Sequence, residues 1–84
     1  MNPRVTAVTP LEHPALLLQF TNGEQRRMDV SPYLAFPVFE RLGEPDFFAL
    51  AQADHGTVSW PASIDLDPDS VYLESVSVTQ TASV

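Results

Sequence analysis

Neither cysteine nor lysine occurs in this chain of 84 residues. Without cysteine there is no disulfide and no thiolate for zinc, and two histidines cannot by themselves fill the four positions of a structural zinc site. A reducing cytoplasm is the expected compartment, and stability has to come from packing. Without lysine, the cations are four arginines against eleven Asp and Glu, a formal net charge of -7. Phosphate binding needs clustered cations that release counterions, and only the adjacent Arg26 and Arg27 come close to a patch. No direct nucleic-acid partner is therefore expected. Long apolar runs are missing too. The longest aliphatic run is Ala15 to Leu18, and Met1-Asn2-Pro3-Arg4 enters a strand-like segment with no export signal ahead of it, so neither secretion nor membrane insertion is expected.

What is present describes a folded body. Hydrophobic residues make up 44% of the chain and charged residues 18%, a balance suited to a globule and not to a solvated tail. The length fits one domain, with a core small enough that a partner would add noticeably to its stability. The charge serves solubility, and where it serves recognition it points to a basic surface.

Val and Thr are frequent from Arg4 to Pro10, which predicts a first strand. In Ala15 to Phe20, alternation puts Leu16, Leu18 and Phe20 on one face and Ala15, Leu17 and Gln19 on the other. Asn22-Gly23 between two strand-like runs predicts a hairpin with a type I′ turn, which pairs Gln25 to Val30 with the preceding strand. Ser31-Pro32 reads as a capped helix start, and Pro37 and Pro45 open further short helices that must be held by packing Phe39, Phe47 and Phe48. Ala51 to Asp54 and Thr57 to Trp60 flank His55-Gly56 as a second hairpin. Asp67-Pro68 opens a last short helix over Val71 to Glu74. The expected fold class is α+β: a small antiparallel sheet of two hairpins plus the N-terminal strand, packed with two to three short helices. Residues 1–74 form the single domain, and 75–84 form a tail that is either an edge strand or disordered.

Three constellations look chemical. Asp65, Asp67 and Asp69 have the alternate spacing of a calcium loop, but Ser70 stands where glycine is needed, Val76 where the closing Glu is needed, and Pro68 stiffens the middle. The plainer reading is a cap and a solvated first turn. Asp67-Pro68-Asp69-Ser70-Val71 also looks like the nucleophile motif of haloacid-dehalogenase-type phosphatases, whose chemistry needs a much larger domain and a magnesium site. Asp54 and His55 with Ser59 or Ser63 name the members of a triad, yet a tight hairpin does not supply the geometry. His55 and His13 are expected to be turn and loop residues. No catalytic residue, metal ligand or cofactor is expected, and a metal-dependent hydrolase is the weakest reading. Trp60 reads as core. Leu17, opposite Leu16 and Leu18, is a candidate interface residue unless a helix covers it.

Met28-Asp29-Val30-Ser31-Pro32-Tyr33-Leu34 after the Asn22-Gly23-Glu24 turn, then His55-Gly56-Thr57-Val58-Ser59-Trp60-Pro61 and Ile64-Asp65-Leu66-Asp67-Pro68-Asp69-Ser70-Val71-Tyr72, resemble the bacterial domain-of-unknown-function family 2442 over residues 4–74. One departure is Pro61-Ala62-Ser63-Ile64, where members tend to have Asn-Gly after the proline. The resemblance implies a small α+β fold and supplies no catalytic residues. Its signature positions are Gly23, Asp29, Trp60, Pro61, Ile64 and Asp65. It implies a role beside another small protein in a toxin–antitoxin-like pair, or a link to transcriptional regulation through a helix-turn-helix that this sequence does not contain. Two roles follow as expectations: a non-catalytic interaction domain, antitoxin-like and acidic, for a small basic protein, and a homodimeric scaffold or sensor domain.

Overall fold

Strict alternation at the centre of the chain sets the architecture. In the computed structural model, which describes residues 2–78, β2 (Ala15–Phe20) buries Leu16, Leu18 and Phe20 on one face. β1 (Val5–Pro10) and β3 (Gln25–Asp29) flank it antiparallel, with Leu18 opposite Val8 and Arg26, and Leu16 opposite Pro10 and Met28. β4 (Gln52–Asp54), β5 (Thr57–Trp60) and β6 (Ile64–Asp65) make a second antiparallel sheet. β7 (Val76–Ser77) joins the first sheet at the outer edge of β3, giving the order β1-β2-β3-β7. The α+β class stands, with the strands divided between two sheets in place of the single sheet expected.

Prolines divide the middle of the chain. Two 3-10 segments, Ser31–Ala35 and Pro37–Gly43, and the one-turn helix α1 (Pro45–Phe48) each carry proline in the first turn. They are too short to persist alone: the second and third are held by buried Leu42, Phe47 and Phe48, and the first by Tyr33 and Leu34, which pack half-buried against the core. The helix α2 (Pro68–Glu74) starts as its sequence predicts: the Asp67 carboxylate accepts from Ser70 N–H at 3.0 Å, Pro68 occupies the first turn, and Val71 is buried. Ser31 is corrected. It caps nothing; Val30 holds the cap position, and Ser31 donates its N–H and hydroxyl to Asp29. A carboxylate two residues upstream outcompetes the hydroxyl as the local acceptor.

Both hairpins form, and the first has a different turn from the one expected. Gly23 has φ of +87° and Asn22 is not in the positive-φ region, while Phe20 carbonyl accepts from Gly23 N–H and Phe20 N–H donates to Glu24 carbonyl. This is a three-residue loop with glycine in the left-handed position, not the type I′ turn expected there. The type I′ geometry sits at His55-Gly56, with φ of 53° and 78°, between the paired Asp54 and Thr57. β6 was not foreseen, being two residues long. Its turn holds Ala62 at φ of 69° and Ser63 at φ of 61°.

One core serves both sheets. Val5, Phe20, Met28, Phe48, Val58, Trp60 and Val71 belong to a single buried cluster. Trp60 donates Nε1–H to the Phe48 carbonyl at 2.9 Å, and Val5 N–H reaches the Gly56 carbonyl at 3.0 Å, so the edge of the first sheet is bonded to the turn of the second. His13, read as a plain loop residue, ties the β1–β2 connection to the end of the second 3-10 segment. Its Nε2–H donates to the Leu42 carbonyl at 2.8 Å, and its ring meets Phe48 edge-on.

Two measurements check these turns. An L side chain in the left-handed region costs about 1–2 kcal/mol, so the double variant Ala62→Asn with Ser63→Gly is expected to raise stability by about 1 kcal/mol in urea unfolding. Gly56→Ala is expected to lower it by more than about 1 kcal/mol, since the added carbon would also lie 3.2 Å from Arg4 Cβ.

Candidate functional site

The period of two in β3 sends its neighbouring arginines in opposite directions. Arg26 lies opposite Leu18 on the core side, Arg27 opposite Leu17 on the outer side, and the basic pair read from the sequence is therefore not a patch. Arg26 is engaged throughout. Its Nη1 pairs with Glu24 Oε2 at 2.8 Å, its Nε and Nη2 donate to the Ser75 hydroxyl and carbonyl, and its guanidinium lies 4.3 Å over the Tyr72 ring. Tyr72 hydroxyl donates to the other Glu24 oxygen at 2.7 Å. The Tyr72 hydroxyl first, then the Asn22 amide and Arg26, hold the Glu24 carboxyl below its ordinary value of 4.5, and the same contact with Glu24 raises the Tyr72 phenol. This cluster fastens the first hairpin to the end of α2. Ser75, read as the start of the tail, is buried within it.

On the other side of α2 lies an open groove. One half, with a volume of about 340 Å³, is lined by Pro32, Tyr33, Phe36 and Glu74. The adjoining half runs past Arg27, Asp29, Pro32 and Glu74 to Val76. Phe36 is 57% exposed and Val76 68% exposed, two of several large apolar side chains this chain leaves open, and these two border the groove. Tyr33 is held edge-on by Phe39 and donates its hydroxyl to Glu74 Oε1. Burial, and then Glu74, push the Tyr33 phenol up to about 12. Asp29, kept below its ordinary 3.8 by the two Ser31 hydrogen bonds, adds a second carboxylate to the groove. Among the described residues neither Glu74 nor Asp29 forms an ion pair within 4.0 Å. A groove that sets Pro32, Phe36 and Val76 beside Glu74, which has no ion pair among the described residues, is suited to a cationic side chain with an apolar stem, although Arg27 already stands near Asp29.

The residues singled out from the sequence fall in different places. Trp60 and Ile64 are buried in the core, while Pro61 and Asp65 are exposed around the β5–β6 turn. Gly23 serves its turn, and Asp29 both closes β3 and lines the groove. Leu17 is half-buried on the outer face between Thr9 and Arg27, outside the core cluster. Asp67 is the helix cap and Asp69 accepts from the Asn2 amide, and no cluster of three metal-ligating side chains exists among the described residues. His55 stands at an exposed tip beside Asp54. Of the groove residues, the sequence singled out Asp29 as a signature position, Arg27 as half of a basic pair and Val76 as part of a tail that could pair with a second copy; Phe36 and Glu74 carry a signal only once α2 is placed.

A family model described as "Protein of unknown function (DUF2442)" matches residues 5–77. The chain belongs to this family. The match runs from the first residue of β1 to the last of β7, so the DUF2442 unit takes in both sheets and the edge strand. Comparisons with curated proteins and with solved structures find no match. Among the described residues of this DUF2442 domain, no helix is long and apolar enough to cross a membrane.

The Glu24 cluster yields a pH dependence of definite sign. A carboxyl whose folded value lies below its unfolded one stabilises the fold above the unfolded value, and that contribution disappears as pH falls through the folded one. Glu24→Gln is thus expected to lower the urea midpoint at neutral pH, with the deficit shrinking well below pH 4.5. An equal deficit at both pH values would contradict the assignment.

Proposed function

We propose that this DUF2442 domain is a non-catalytic protein-interaction module of the cytoplasm, the acidic, antitoxin-like member of a bacterial two-protein system, whose partner is a small basic protein. The observation that carries this reading is the groove beside α2, where exposed Phe36 and Val76 flank carboxylates without ion-pair partners among the described residues. The net charge of -7 supports it, because a basic partner would be steered to such a surface. The internal engagement of Arg26 supports it further, since one of only four arginines is withdrawn from the surface.

A homodimeric scaffold or sensor is the second reading, favoured by one feature. β7 is an edge strand with Val76 and Ser77 both exposed, and among the described residues it carries no proline, charge or bulge that would discourage pairing with another strand.

Co-expression with the product of the neighbouring gene decides between these. The expected result is co-purification of a small basic protein, relief of any growth inhibition that protein causes alone, and an association rate that falls steeply with added salt. A neighbour that is neither small nor basic, together with a concentration-dependent dimer in light scattering, would replace the first reading with the second.

A further inference from the structure

The chain contains two tyrosine–glutamate pairs of the same kind. In the first, Tyr72 hydroxyl donates to Glu24 Oε1, and Arg26 completes the set by pairing with Glu24 Oε2 and stacking on the Tyr72 ring. In the second, Tyr33 hydroxyl donates to Glu74 Oε1, and among the described residues no arginine and no hydrogen-bond donor reaches Oε2. Arg27 lines the half of the groove that Glu74 shares with Asp29, where its charge acts on Asp29, and it forms no ion pair with Glu74. The two pairs therefore differ by one guanidinium.

We infer that an arginine side chain of the basic partner protein supplies the missing member, its guanidinium on Glu74 and its methylene stem along Phe36 and Pro32. Three features of the groove select arginine. A planar guanidinium can bond a carboxylate edge while lying on an aromatic face, as Arg26 does within this same chain, whereas an ammonium is a compact, strongly hydrated point charge. Pro32 and Phe36 provide the apolar surface that a long stem covers. Glu74 is fixed by Tyr33, which is itself held by Phe39, so little side-chain freedom remains to be lost on binding. The inference rests on the interaction-module reading and adds to it the position and the chemistry of the contact.

The test uses the full chain and two blocked tripeptides, acetyl-Gly-Arg-Gly-amide and its Lys counterpart, titrated against amide signals in nuclear magnetic resonance. The expected result is saturable shifts centred on Tyr33, Phe36 and Glu74 with the Arg peptide, tighter than with the Lys peptide. Glu74→Gln and Phe36→Ala, both at exposed positions, should each weaken this binding by about fivefold, a loss of about 1 kcal/mol. Asp65→Asn, remote from the groove, should leave it unchanged. Shifts spread over all the acidic residues, equal binding of the two peptides, or indifference to Glu74→Gln would each overturn the assignment. The same variants separate it from the broader reading. A basic partner that binds wild type and Glu74→Gln equally well removes the groove contact and leaves the interaction module standing. Arginine-selective shifts at the groove in a chain with no basic partner would do the opposite.

Discussion

A small three-stranded sheet is held to a larger four-stranded one by a single shared core, and the rest of the molecule depends on that sharing. A three-stranded sheet whose outer strands have three and two residues has little independent stability. It persists because Trp60 and Val58 pack into the same cluster as Leu16, Leu18 and Phe20 of the other sheet. The junction is also bonded: Trp60 to the Phe48 carbonyl, Val5 to the Gly56 carbonyl, and the buried Thr57 hydroxyl to the Leu66 carbonyl. Polar groups drawn into so small an interior have to be satisfied, because each unsatisfied one would cost about 1–3 kcal/mol of a modest total. Among the described residues, no buried side-chain nitrogen or oxygen lacks a partner.

The shared core in turn determines what α2 can do. Val71 anchors its inner side and Tyr72 packs edge-on against Phe20, so the two ends of the tyrosine-bearing surface are fixed relative to the sheet. The helix then separates two environments. On one side Arg26 is sequestered among Glu24, Tyr72 and Ser75, and on the other Glu74 faces the 3-10 segment across an open channel. A chain with so few cations uses this one to fasten its own hairpin, and leaves the matching carboxylate on the far side without a counterpart among the described residues.

Backbone strain is concentrated away from that channel. Ala62 and Ser63 occupy positive φ in the β5–β6 turn, although neither is a glycine. The neighbouring core residues Trp60 and Ile64 are paired across this turn, and their burial holds the strained loop in place. Gly56 and Trp60 of the second hairpin thus contribute to how the smaller sheet closes.

Local chemistry accounts for what could be read from the sequence alone. The alternation of Leu16, Leu18 and Phe20, the hairpins at Gly23 and Gly56, the Asp67–Pro68 start of the last helix and the breaks at Pro32, Pro37 and Pro45 are decided by neighbours a few residues apart. The family match over residues 5–77 agrees with the motifs that carried the resemblance. Tertiary structure alone decided the rest. Whether the strands form one sheet or two is a matter of which strands pair, and Trp60, bonded to the Phe48 carbonyl 12 positions away, helps join the two sheets once they have formed. The engagement of Arg26 by Ser75 spans 49 positions, and the pairing of Tyr33 with Glu74 spans 41. Of the C-terminal tail, Val76–Ser77 form the edge strand, and residues 79–84 lie outside the described residues. A groove has no sequence of its own, because its walls come from segments that meet only after the core has closed.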